Sequence, residues 1–137
     1  MVGRTSIFPS VPAVLEELVR RGLVLGIVST KFRYRIQEIM QREGLSGHFG
    51  VIVGGEDVSA YKPDPSGFLI ALDALRHSSR DSLYVGDHSI DAETARSANV
   101  PFIAVLSGTT PREQFEPWEV LCILEDLGEL TGVLPAR

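Results

Sequence analysis

Strand-length apolar runs alternate with amphipathic segments along almost the whole chain, and this alternation most restricts the fold. Strands separated by helices of about ten or more residues connect through right-handed crossovers into parallel sheets. The sequence therefore predicts an α/β protein built on a doubly wound parallel sheet. The predicted strands are Leu23–Ser29, Val51–Val53, Ser82–Val85, Pro101–Leu106 and Val120–Ile123.

The clearest helix follows from the stripe Val11, Val14, Leu15, Leu18 and Val19, with Ser10 as N-cap and Gly22 as the stop. The second helix is predicted from the stripe within Phe32–Met40 and ends at Gly44. The third begins after Asp64, its cap, with Pro65 as its first residue. The last two are predicted at Ser89–Ala98 and at Glu125–Val133. The run Leu23–Ser29 is almost continuously apolar, which predicts a strand buried on both faces.

Composition limits the classes of protein and partner. A chain of 137 residues with 44% hydrophobic content predicts one domain spanning residues 1–137. A net charge of −5 without a basic tract argues against a nucleic-acid partner, and no apolar run reaches the roughly 20 residues of a membrane helix. Cys122 is the single cysteine, which favours a reducing, cytoplasmic setting.

Four polar residues fall at or just beyond the predicted strand ends, which are Ser29, Thr30, Lys62 and Asp87. Ligands of parallel α/β sheets collect at the carboxyl ends of the strands. A hydroxyl, an ammonium and carboxylates at one rim are suited to a phosphoryl group and a hard cation such as Mg²⁺. We therefore expect a small phosphorylated ligand.

Each of these residues also has a simpler interpretation. Asp87 could ligate Mg²⁺, and Asp91, one helical turn later, could orient a metal-bound water or Lys62. Alternatively, both acids belong to an ordinary strand-to-helix turn. Lys62 could offset the charge of phosphate or lie in solvent. Ser29 and the Thr30 backbone could donate to phosphate at a helix N-terminus, or only cap that helix.

Three cations, Lys31, Arg33 and Arg35, crowd the predicted start of the second helix, where the helix dipole disfavours positive charge. A nearby anion would account for them. We interpret Arg33 and Arg35 as solvent-exposed instead, at a cost of a few tenths of a kcal/mol each.

Three motifs together resemble the haloacid dehalogenase-like (HAD) phosphatase superfamily. They are Leu25-Gly-Ile-Val-Ser-Thr-Lys31, Lys62-Pro-Asp-Pro65 and Val85-Gly-Asp-His-Ser-Ile-Asp-Ala-Glu-Thr-Ala-Arg-Ser-Ala98. The residues of these motifs are similar to those of the phosphoglycolate phosphatase branch, including its pyrophosphatase relatives. The similarity extends from about Pro9 to Leu134.

The resemblance implies attack by an aspartate on a phosphate monoester, followed by hydrolysis of the phosphoaspartate, with Mg²⁺ as cofactor. In these terms Ser29 and Thr30 bind the phosphoryl group, Lys62 is catalytic and also binds phosphate, Asp87 ligates the metal, and Asp91 supports the metal from outside its coordination shell. The family's first motif, Asp-x-Asp after the first strand, has no match here, because no aspartate precedes Asp57. The cap domain that follows that motif is also unmatched, so the resemblance implies a truncated form or a form that lacks the first motif.

In the family's sheet, the first strand lies between the strands matching Leu23–Ser29 and Ser82–Val85. Its loss leaves three ways to satisfy the two exposed edges: Arg4–Phe8 serves as a replacement strand, the sheet closes up directly, or a second chain fills the gap. We favour closure or filling by Arg4–Phe8.

Two functions of different classes follow. The first is a magnesium-dependent phosphatase core for small monoesters such as phosphoglycolate. The second is a non-catalytic phosphate- or Mg²⁺-binding module, or a subunit completed by a partner chain or by a homo-oligomer. A response-regulator receiver is disfavoured, because a receiver carries acids after its first strand and a lysine late in the chain.

Overall fold

The structure, a computed structural model, describes residues 11–106 and 110–134, and its helices and strands alternate as predicted. The helices are α1 (Val11–Arg20), α2 (Arg33–Arg42), α3 (Ser66–Leu75), α4 (Ser89–Ser97) and α5 (Leu130–Val133). The strands are β1 (Leu25–Val28), β2 (Phe49–Val53), β3 (Tyr84–Gly86), β4 (Phe102–Val105) and β5 (Cys122–Leu124). The predicted terminal helix is shorter than expected, since a 3-10 turn at Leu127–Glu129 precedes α5. The predicted N-cap, Ser10, lies outside the described residues.

Residues in left-handed conformations end several helices where the sequence predicted a stop. Gly22 has φ of 84° after α1, and Gly44 has φ of 73° after α2. Asn99 follows α4 with φ of 59°, as its tolerance of this conformation suggests. The prediction of helix ends from glycine and asparagine is confirmed at these positions.

All strand pairs are parallel, but the strands form two sheets within the described part of the chain. β1 pairs with β2, and β3, β4 and β5 pair in that order. The expected direct closure of the sheet is wrong, because no pairing joins β1 to β3 among residues 11–106 and 110–134. The alternative filler, Arg4–Phe8, lies outside the described residues.

Side-chain packing connects the two sheets on both faces. On one face, Leu25 of β1 and Val85 of β3 pack against a cluster that contains Val14 and Leu18 of α1. On the other face, Val28 of β1 packs against a cluster that contains Tyr84, Phe68 of α3 and the alanines of α4. The described residues thus form a helix–sheet–helix sandwich whose two half-sheets share their cores.

The prediction that the first strand is buried on both faces is wrong. Leu25, Ile27 and Val28 of β1 are half-buried, and Gly26 is exposed. In contrast, all four residues of β4 are buried, because β4 has a strand on each side. Both strands come from uninterrupted apolar runs, and both runs indicated a central strand. Only β4 has a strand on each side, whereas β1 has a described neighbour only on its β2 side.

None of the helices in residues 11–106 and 110–134 combines the length and apolar character needed to cross a membrane. The assignment of residues 1–137 to one domain stays a prediction.

Candidate functional site

Lys62 lies in the loop before α3, and its ammonium contacts two side chains from the β3–α4 segment. Lys62 Nζ is 2.7 Å from Asp91 Oδ1 and 3.2 Å from Tyr84 Oη. Tyr84 Oη in turn donates to Asp91 Oδ1 over 3.2 Å. We call these three residues the lysine triangle. Only 18% of the Lys62 side chain and 11% of the Asp91 side chain are exposed, so the ion pair is largely shielded from water.

Local geometry explains why Asp91 faces this lysine. Gly86 ends β3 and lies so close to Asp91 that a Cβ on residue 86 would stand 2.7 Å from Asp91 Oδ2. His88 then caps α4 by accepting a hydrogen bond from the Ile90 amide at 3.0 Å. Asp91 therefore falls in the first turn of α4, where the helix dipole favours a carboxylate. The turn between β3 and α4 thus places Asp91 Oδ1 in contact with Lys62 Nζ.

Tyr84 remains protonated in this setting. Burial raises the pKa of its phenol well above the ordinary value, and the negative charge of Asp91 raises it further. A neutral phenol can donate to Asp91 and accept from Lys62 at the same time. The hydroxyl therefore links the two charged groups of the lysine triangle.

Ser29 and Thr30 lie on the loop after β1. The Ser29 amide donates to the Val53 carbonyl at 3.0 Å, which extends the pairing of β1 with β2. Ser29 Oγ accepts from the Lys31 amide at 3.1 Å, so the hydroxyl can still donate its own proton to a ligand. Thr30 is exposed. No hydrogen bond within the described residues joins Ser29 or Thr30 to the lysine triangle; the two groups are connected through the packing of Val28.

The predicted position of these residues at a helix N-terminus needs correction. The helix α2 begins at Arg33, four residues after Ser29, and Phe32 occupies its N-cap position. The Arg33 amide already donates to Glu56 Oε1 at 2.7 Å. A carboxylate of this chain therefore accepts the first amide of α2, and phosphate binding near this helix end stays a prediction.

Arg33 is partly exposed, as predicted, but it also has an anionic partner that the prediction did not include. Its guanidinium forms an ion pair with Asp57, whose other oxygen accepts from the Gly54 amide at 2.8 Å. The Gly54 amide and the Arg33 guanidinium lower the pKa of the Asp57 carboxyl below its ordinary value. We call Arg33, Glu56 and Asp57 the acidic clasp, because it ties the loop after β2 to the start of α2. Arg35 is exposed, as predicted.

The acidic clasp was missed in the sequence, although a signal for it existed. A glycine pair, Gly54 and Gly55, follows β2 directly and precedes two acids, at a strand end where functional loops occur. A Cβ on Gly55 would approach the Thr30 carbonyl oxygen to 2.5 Å, so only glycine allows the two loops to lie this close. The clasp and Gly55 together hold the loop that carries Ser29 and Thr30.

Replacing Asp57 with asparagine is expected to lower the free energy of unfolding modestly at pH 7, because the ion pair with Arg33 is lost while the shape of the side chain is kept. A carboxyl with a lowered pKa stabilises the fold above its ordinary pKa and loses that contribution as the pH falls. The difference between wild type and variant should therefore shrink from pH 7 to pH 3, as measured by urea unfolding. An equal difference at both pH values would contradict the lowered pKa of the Asp57 carboxyl.

The carboxylates near the end of β3 are chemically suitable ligands for Mg²⁺, but they do not complete its coordination shell. Asp87 follows β3 directly and is half-buried, and Asp91 Oδ1 is engaged by Lys62 and Tyr84. No group of three or more histidine, cysteine, aspartate or glutamate side chains in the described ranges could hold a metal ion. Mg²⁺ often binds through one or two carboxylates, with water and phosphate oxygens completing its shell. Asp87 therefore fits as one ligand, with the remaining ligands coming from elsewhere.

Known proteins resemble this chain in both sequence and fold. The family model of haloacid dehalogenase-like hydrolases matches residues 3–105. The chain is 32% identical over 132 residues to the phosphoglycolate phosphatase of Yersinia pestis, covering 96% of this chain and 56% of that protein. It is 34% identical over 128 residues to the pyrophosphatase PpaX of Oceanobacillus iheyensis, covering 91% of this chain and 60% of the relative.

A solved structure of a haloacid dehalogenase-like hydrolase from Bacteroides fragilis shares the fold with a TM-score of 0.88 and 40% identity. The match covers 90% of this chain and 59% of that one. The chain thus spans somewhat more than half the length of the relatives to which it is similar. The match of the family model over most of the sequence shows that the chain belongs to the haloacid dehalogenase-like hydrolases.

Proposed function

We propose that this chain forms the phosphate-binding core of a magnesium-dependent phosphatase for small phosphate monoesters, with phosphoglycolate as the first candidate. The observation that supports this most is the lysine triangle, which holds a shielded ammonium beside the end of β3. The names of the phosphatase relatives support the class of substrate.

Each residue of the core has a distinct task in this proposal. Lys62 offsets the negative charge of the phosphoryl group, and the Ser29 hydroxyl and the Thr30 amide donate hydrogen bonds to it. Asp91 acts on the lysine, because its Oδ1 is already committed to that contact. Asp87 would hold Mg²⁺, which would supply charge neutralisation at the phosphate oxygens.

The nucleophile is the missing part. The family resemblance implies that an aspartate carboxylate attacks phosphorus, the ester oxygen leaves, and water then releases phosphate from the phosphoaspartate. That aspartate would follow a strand between β1 and β3, and this sequence has no aspartate before Asp57. We therefore propose that turnover requires a carboxylate from outside this sequence, in a longer protein or in a partner chain.

A non-catalytic binding module, or a subunit completed by a second chain, is the alternative. The two strands that would flank the missing one, β1 and β3, support it, since neither has a described strand partner on that side. We propose a cytoplasmic setting in either case, in keeping with the lone Cys122, with a small phosphorylated molecule as ligand and no nucleic-acid or membrane partner.

Phosphoglycolate binding in the presence of Mg²⁺ is expected at millimolar dissociation constants, measured by isothermal titration calorimetry. Replacing Ser29 with alanine should weaken binding about tenfold, since one hydrogen bond to a charged oxygen is lost. Replacing Asp87 with alanine should remove the magnesium dependence. Asp73, an exposed aspartate on α3, provides the control, and Asp73→Ala should bind like wild type.

Turnover of phosphoglycolate and of para-nitrophenyl phosphate by the same proteins tests whether the nucleophile lies outside this sequence. Binding without hydrolysis is the expected result for this chain alone, since it has no aspartate before Asp57. Magnesium-dependent hydrolysis that disappears in Asp87→Ala would contradict the need for an outside carboxylate and would defeat the binding-module alternative. Failure of 10 mM phosphoglycolate, about ten times the expected dissociation constant, to bind wild type would contradict both functions.

A further inference from the structure

The ammonium of Lys62 has three N–H donors, and the described contacts engage two of them. One donates to Asp91 Oδ1 at 2.7 Å and one to Tyr84 Oη at 3.2 Å. A single acceptor gives a low barrier to rotation of the ammonium about the bond from Cε to Nζ, whereas a second acceptor on a different residue raises that barrier. The third donor then has a defined direction for a ligand.

Tyr84 is itself held rigidly. Its ring centroid lies 4.8 Å from that of Phe68 and 5.7 Å from that of Phe102, which it meets edge to face. Only 8% of Tyr84 is exposed. Two packed aromatic neighbours and burial determine where the hydroxyl lies, so it can position a flexible partner.

We propose that Tyr84 is a positioning residue for Lys62. Its hydroxyl accepts one ammonium proton and donates to Asp91, so the ammonium is oriented by two fixed oxygens instead of one. A phenylalanine at this position would keep the aromatic packing and would release one Lys62 donor. The part of this inference that concerns phosphate rests on the proposed function, whereas the part that concerns the ammonium does not.

The sequence offers an unusual opportunity for the test, because Lys31 and Lys62 are the only two lysines in the chain. Protein labelled with ¹⁵N-lysine therefore gives at most two ammonium signals in a ¹H–¹⁵N NMR spectrum. Lys31 is exposed, so its protons exchange rapidly with water. We expect one slowly exchanging ammonium signal with restricted rotation, which Lys62→Arg removes.

In Tyr84→Phe, exchange of the Lys62 ammonium protons is expected to accelerate about tenfold, as one hydrogen bond is lost. Binding of inorganic phosphate with Mg²⁺, followed by calorimetry, should weaken by about the same factor. Tyr61→Phe is the matched control: it removes a hydroxyl from the exposed tyrosine next to Lys62 and should leave both quantities unchanged.

The outcomes separate the two proposals. Unchanged ammonium exchange in Tyr84→Phe would overturn the positioning role. A Lys62 ammonium that rotates as freely as that of Lys31 in wild type would overturn it as well, whether or not the variant folds. Accelerated exchange without any phosphate binding by wild type would support the positioning role and contradict the proposed function.

Discussion

Replacing Asp91 with leucine is expected to lower the free energy of unfolding by about 3 kcal/mol, because the variant leaves the largely shielded Lys62 ammonium without its counter-ion. Replacing Lys62 with methionine should cost a similar amount, since it leaves a buried carboxylate unpaired. In the double variant both charges are gone, and much of the lost stability should return. Urea unfolding at pH 7 gives the free energy of unfolding of the wild type, the two single variants and the double variant.

The interaction energy from this double-mutant cycle is the decisive quantity, and we expect about 2 kcal/mol. The exposed ion pair of Arg112 and Glu125, whose side chains are 49% and 73% exposed, is the control. The same cycle with Arg112→Met and Glu125→Leu should give no more than about 0.5 kcal/mol. Equal coupling in the two cycles would mean that burial adds nothing to the pair of Lys62 and Asp91.

Replacing Gly86 with alanine should have an effect of comparable size on the same site. The added Cβ would stand 2.7 Å from the Asp91 Cβ and 2.8 Å from its Cγ, well inside normal contact. The side chain of Asp91 must then move, which separates it from Lys62. Adding the strain of overpacking to the damaged ion pair gives an expected loss of about 3 kcal/mol in the free energy of unfolding.

A control and a second measurement make this prediction specific. A Cβ on Gly47 would meet nothing within 4 Å, so Gly47→Ala should change stability by less than about 0.5 kcal/mol. The slowly exchanging Lys62 ammonium signal should also disappear in Gly86→Ala and remain in Gly47→Ala. A Gly86→Ala protein that keeps both its stability and this signal would show that Asp91 has room to adapt.

Local patterns predicted the elements well, because helix stops and apolar stripes act within a few residues. The glycine after α1 and the asparagine after α4 are examples. The contact of Asp91 with Lys62 was also anticipated, since the carboxyl ends of parallel strands collect their side chains at one rim. The family motifs supplied the positions of both residues.

Features that depend on distant partners were not predictable in this way. Arg33 and Asp57 are 24 positions apart; the glycine pair and the acids after β2 indicate a functional loop, but no local pattern identifies Arg33 as the partner. Tyr84 lies in an apolar run, where its ring indicates a core residue and gives no hint of the hydroxyl contacts. The exposure of β1 was missed because an apolar run reveals a preference for burial but not the identity or number of neighbouring strands.

The division into two half-sheets has a mechanical consequence. Backbone hydrogen bonds fix the register within β1 and β2, and within β3 to β5, whereas among the described residues side-chain packing alone connects the halves. Side-chain contacts can slide by fractions of an ångström at little cost, but a hydrogen-bonded ladder cannot. The separation between the Ser29 loop and Lys62 therefore depends on the volume of core residues such as Val28 and Phe68, which pack in the cluster between the two half-sheets.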